Sequence, residues 1–79
     1  MHNRPIQLKK LVAVLRQLGF VERRKGKGSH GIFYHPETNL IITLPMERKD
    51  VPIVYLKAIL RQVVDRGIIT ESDFWKLLK

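Results

Sequence analysis

The 79-residue sequence contains no cysteine. Disulfide staples and thiolate metal sites are thereby excluded, as suits a reducing compartment. No segment approaches the roughly 18 consecutive apolar residues needed to cross a bilayer, and the opening stretch MHNRPIQLKK lacks the apolar centre of a secretion signal. These absences lead us to expect a soluble cytoplasmic protein without a membrane role. Acidic residues are scarce too: seven Asp and Glu stand against fifteen Lys and Arg, giving a net charge of +8. Those carboxylates are scattered, which removes the paired-acid chemistry of many hydrolases. There is no low-complexity run, internal repeat or linker. A chain of this length reads as one domain over residues 1–79, burying roughly 60 % of its unfolded surface.

The charge that is present is unevenly placed. Residues 1–30 carry Arg4, Lys9, Lys10, Arg16, Arg23, Arg24, Lys25 and Lys27 against Glu22 alone, while the rest of the chain is nearly neutral. Basicity concentrated in this way is the electrostatic footprint of a nucleic-acid binder. A merely solvated basic surface is the plainer alternative.

Periodicity supplies the elements. In PIQLKKLVAVLRQLGF, Leu8, Leu11, Val12, Leu15 and Leu18 form an apolar stripe at helical spacing, with Pro5 suited to the first turn and Gly19 to the stop. FVERR follows as a short strand, KGKG as a turn, SHGIFYH as a second strand and PETN as another turn. LIITLP is a branched-residue strand ended by Pro45, with Leu40, Ile42 and Leu44 on one face and Ile41 and Thr43 on the other. MERKD reads as a polar connection. A second helix starts near Pro52, presents Ile53, Leu56, Ile59, Leu60, Val63 and Val64, and stops at Gly67. A short third helix follows, capped through Thr70 and Asp73, with Phe74, Leu77 and Leu78 as its stripe. The order predicts an α+β sandwich: helix, three-stranded antiparallel meander, helix and a short C-terminal helix, with both long helices on one sheet face.

The stretch KGKGSHGIFYHP draws most of the chemistry together. His30 directly follows a turn holding Lys25 and Lys27, with Arg23 and Arg24 just before. An imidazole can accept and donate a proton at cellular pH. RNA brings its own nucleophile, the 2′-hydroxyl, so one acid–base group among phosphate-binding cations meets much of the demand of strand cleavage. The competing reading of His30 is a surface histidine at a strand end. His35 falls on the opposite face unless a bulge at Gly31 intervenes, and its place before Pro36 favours structural hydrogen bonding. Phe33 reads as core, with Gly31 allowing close packing beside it. Tyr34 shares a face with His30 and Ile32 and either stacks on a base or covers the sheet. Phe20, Phe74 and Trp75 read as core or partner surface. His2 lies near the terminus, and three histidines without paired acids make no metal site. Neither a P-loop nor a dinucleotide fingerprint fits the glycines. Ser29 and His30 are strand neighbours whose side chains diverge, so Ser29 serves local hydrogen bonding rather than a triad.

The motif string GSHGIFYHP followed by LIITLP resembles the HicA-type toxin family, also called YcfA-like. The resemblance rests on Leu18, Gly19 and Phe20 closing the first helix; on Gly28, Ser29, His30 and Phe33 opening the strand; on His35 and Pro36; on Pro45; and on Leu56, Ile59 and Leu60. It covers residues 6–64 and leaves 67–79 as a C-terminal extension. What it implies is a fold similar to a double-stranded-RNA-binding domain and a type II toxin that cleaves messenger RNA. It also implies His30 as the catalytic residue, no metal or cofactor, and a HicB-type antitoxin as partner. Arg23, Arg24, Lys25, Lys27, Ser29 and Tyr34 are then the RNA-binding set. Many members carry a second histidine directly after the catalytic one, where this chain has Gly31. The rival expectation is a non-catalytic RNA-binding module, its phosphates held by the basic first helix and the RRKGKG turn. A third is a structural protein whose basic face meets an acidic partner. No feature of the sequence sets an oligomeric state.

Overall fold

A computed structural model describes residues 5–23 and 30–78. His2, the KGKG turn, Arg24, Lys25, Lys27 and Ser29 therefore lie outside the described residues. The elements, in chain order, are β1 (Ile6–Gln7), α1 (Leu8–Gln17), β2 (Val21–Arg23), β3 (His30–His35), β4 (Leu40–Pro45), β5 (Asp50–Val51), α2 (Ile53–Asp65) and α3 (Glu71–Leu77). Strands β2, β3 and β4 form an antiparallel meander in that spatial order. The expected helix, three-stranded sheet and helix are all present, with the short C-terminal helix after them. This is the order of a domain resembling the double-stranded-RNA-binding fold.

The predicted stripes face the core, with Val12, Leu18, Ile53 and Val64 half-buried against it and Val14, outside the predicted α1 stripe, buried. Leu8, Leu11, Val14 and Leu15 of α1 and Leu56, Ile59, Leu60 and Val63 of α2 are buried. They share one core with Phe33, Leu40, Ile42 and Leu44 of the sheet. Alternation leaves His30, Ile41 and Thr43 exposed and Ile32 and Tyr34 half-buried, so the sheet has one covered face and one open face. Phe20 and Phe74 are core residues, and half-buried Trp75 packs against the core.

Both long helices end in the same device. Gly19 takes φ +98° and Gly67 φ +72°, the left-handed conformation that glycine adopts without a Cβ penalty. Around Gly19 the N–H of Phe20 donates to the Leu15 carbonyl at 3.0 Å and that of Gly19 to Arg16 at 3.1 Å. Around Gly67 the N–H of Ile68 donates to Val63 at 3.0 Å and that of Gly67 to Val64 at 2.9 Å. These are paired Schellman closures, each satisfying carbonyls that the helix leaves over. Thr70 caps α3 as its spacing suggested, accepting from the Asp73 N–H at 3.2 Å.

Two expectations need correction. The first helix does not begin at Pro5: Ile6 and Gln7 are extended and pair antiparallel with Val51 and Asp50. The segment MERKD is accordingly not all connection, since Asp50 belongs to that ladder. The physical reason is partnership: the helix's first N–H, on Leu8, is taken by the Lys49 carbonyl at 2.8 Å. With Gln7 offering no side-chain cap, the neighbouring strand does the work of a capping residue.

Candidate functional site

His30 opens β3 and faces Pro45, the last residue of β4. Among the described residues β2 runs to Arg23, opposite Ile32. The β3 ladder runs without interruption from His30 to His35, and no bulge at Gly31 turns the two histidines to one side. They go to opposite faces.

His35 is buried, 4 % exposed, with both ring nitrogens engaged. Its Nε2 lies 3.0 Å from the Leu18 carbonyl, which can only accept, so Nε2 carries the proton. Nδ1 is then the acceptor for the Thr38 hydroxyl at 3.0 Å. The ring also packs on Phe20, centroids 4.9 Å apart. His35 is thus a clasp between the end of α1 and the β3–β4 turn, the structural role its position before Pro36 suggested.

On the open face the picture is different. His30, Ile32 and Tyr34 point the same way, and the rise of a strand puts His30 and Tyr34 about 13 Å apart. His30 is exposed, and its side chain makes no hydrogen bond, ion pair or ring contact with any other described residue. Cross-strand register sets Val21, Tyr34 and Ile41 in one row and Arg23, Ile32 and Thr43 in the next. Val21 and Ile41 are 54 % and 52 % exposed, an unusual surface position for branched apolar side chains. The Arg23 guanidinium lies over the Tyr34 ring, 4.6 Å from its centroid. The Tyr34 hydroxyl donates to Asn39 Oδ1 at 2.6 Å. Asn39, at φ +61°, closes the β3–β4 turn, its N–H bonded to the His35 carbonyl at 2.8 Å. Tyr34 is therefore held at both ends, ring by Arg23 and hydroxyl by the turn.

Of the residues singled out in the sequence, Arg23 and Tyr34 are brought into contact, and His30 joins them on the same face, one row from Arg23 and two from Tyr34. Arg24, Lys25, Lys27 and Ser29 lie outside the described residues. Asn39 was not among the sequence candidates; a turn-closing Asn is a common signal, but its bond to Tyr34 depends on the hairpin's register. Gly31 is explained by a residue the sequence did not connect to it. A Cβ there would fall 2.7 Å from Met46 Cγ, so the glycine leaves space for the methionine that follows β4. Among the described residues no three His, Asp or Glu side chains are grouped to hold a metal ion. No described helix is long and apolar enough to cross a membrane.

Residues 8–63 match the family model described as the HicA toxin of bacterial toxin-antitoxin systems. The chain belongs to the HicA toxin family. The match spans α1 through almost all of α2 and ends before α3, so the C-terminal helix is an addition to the HicA-matched region. No curated protein matches the chain. Membership in a toxin family implies an antitoxin as partner.

Proposed function

We propose that this HicA-family protein is an endoribonuclease, the toxin of a type II module, that cleaves messenger RNA in the cytoplasm with His30 as its acid–base group. The observation that carries the reading is the open sheet face. It presents an imidazole with no side-chain partner among the described residues, in line with a clamped tyrosine, a guanidinium and exposed apolar side chains. Such a face suits single-stranded RNA, whose unstacked bases settle on aromatic rings and guanidinium planes. Arg23 and Tyr34 bind the strand, and Arg24, Lys25, Lys27 and Ser29, adjacent in sequence to His30, grip its phosphates.

The reaction needs no imported nucleophile. A base takes the proton from the 2′-hydroxyl, the 2′-oxygen bonds to phosphorus, and the bond to the 5′-oxygen breaks as that oxygen receives a proton. A 2′,3′-cyclic phosphate and a 5′-hydroxyl result. His30 performs one of the two proton transfers, and nearby cations stabilise the charge on the phosphorane-like transition state. The antitoxin of this module is a HicB-type protein.

The test is cleavage of an end-labelled unstructured RNA with a metal chelator present, comparing wild type and His30→Ala. Loss of general acid–base catalysis costs roughly 100-fold or more in rate, and the circular dichroism of the two proteins should coincide. Equal cleavage by both would remove His30 from the chemistry. Binding without cleavage by both would leave a non-catalytic RNA-binding module.

A further inference from the structure

The end of the molecule that carries His30 holds a second feature, on the helix side of the sheet. The His35–Leu18 contact places the end of α1 at the far end of β3, so the first turn of α1 lies toward His30. There Leu8 is bonded to Lys49, and Met46 fills the space over Gly31, the residue next to His30. Met46 also forms, with Val12 and Ala13 of α1, the apolar floor of an open groove along the helix. Through Lys9 that groove continues into a cleft beside Arg48 and Lys49.

Lys9, Arg48 and Lys49 are exposed, and none has an ion-pair partner among the described residues. Asp50 is the single carboxylate among the residues lining groove and cleft. Farther along α1, Arg16 is neutralised by Glu22 at 2.8 Å. Free positive charge thus collects at the His30 end of the groove and fades away from it. Cations along a rim and an adaptable methionine in the floor suit a flexible polyanion with apolar faces.

A strand cut at its middle must be held on both sides of the scissile phosphate, and the open sheet face supplies one side. We infer that the groove floored by Met46, Val12 and Ala13 and rimmed by Lys9, Arg48 and Lys49 binds the single-stranded RNA on the other side of the scissile bond. The strand then passes around the sheet end at His30. This inference rests on the ribonuclease reading above.

The experiment uses the full chain. Affinity for a labelled, unstructured RNA is measured against salt in a His30→Ala background, and cleavage is measured with His30 present. One variant combines Lys9→Gln, Arg48→Gln and Lys49→Gln; another carries Ala13→Glu, an exposed helical position that places a carboxylate in the groove. A control with equal charge loss combines Lys57→Gln, Arg61→Gln and Lys76→Gln on the α2–α3 side. The groove variants should bind at least tenfold more weakly than the control. Each lost phosphate contact should lower the log–log salt slope by about 0.7. Equal weakening of groove and control variants would reduce the effect to net charge and overturn the inference. Unchanged affinity in both groove variants, with wild type still binding and cleaving, would overturn the groove and leave the ribonuclease reading standing. A wild type that neither binds nor cleaves RNA would end both.

Discussion

Strand β3 begins and ends in histidine, and the pleat alone gives the two imidazoles opposite surroundings. His35 is turned inward, where an unpaired ring nitrogen would be costly, and it has a carbonyl and a hydroxyl as partners. His30 is turned outward and has none among the described residues. Replacing His35 by Ala removes two hydrogen bonds, strands the Leu18 carbonyl and opens space beside Phe20. We expect a loss of about 2–4 kcal/mol, read as a lower midpoint in urea unfolding. His30→Ala, by contrast, should leave that midpoint within about 0.5 kcal/mol, as for other surface changes away from structural features. A matching loss of stability in both variants would show that the two rings are not divided in this way.

At the scale of elements, α3 shows how the chain completes a small core. It lies beyond the HicA-matched residues, yet Phe74 is fully buried and Leu78 nearly so. Phe74→Ala should cost about 3–5 kcal/mol and Thr70→Ala about 1 kcal/mol through the lost cap, both measurable by chemical denaturation. If Phe74→Ala were neutral, α3 would be an appendage rather than part of the core. Long periodic elements such as α1, α2 and β4 were legible in the sequence because burying a stripe forces the spacing. The β1–β5 ladder was not: two residues carry no period, and their pairing is decided by where Lys49 and Asp50 arrive in space. The candidate site divides in the same manner. That His30, Ile32 and Tyr34 share a face follows from alternation. That Arg23 covers Tyr34 follows from hairpin register, and that Met46 covers Gly31 follows from the path after Pro45; neither is written in local spacing. His30 itself was singled out by its neighbours in sequence and by family resemblance, since geometry gives it no distinguishing partner among the described residues.

At the scale of the whole molecule, a chain with a net charge of +8 and an exposed apolar row on its sheet has surface suited to partners. If the antitoxin is a HicB-type protein encoded beside it, co-expression should yield a complex that survives purification. Its thermal midpoint should rise with antitoxin concentration, as mass action requires for a partner that binds only the folded form. A midpoint indifferent to the candidate antitoxin would exclude that protein as the cognate partner. That His30 has no side-chain partner among the described residues has a practical consequence. On the ribonuclease reading, a change at His30, whose side chain supports none of the described structure, would disarm the protein and leave the described fold in place. The same substitution gives the laboratory a harmless stand-in that can be produced in quantity.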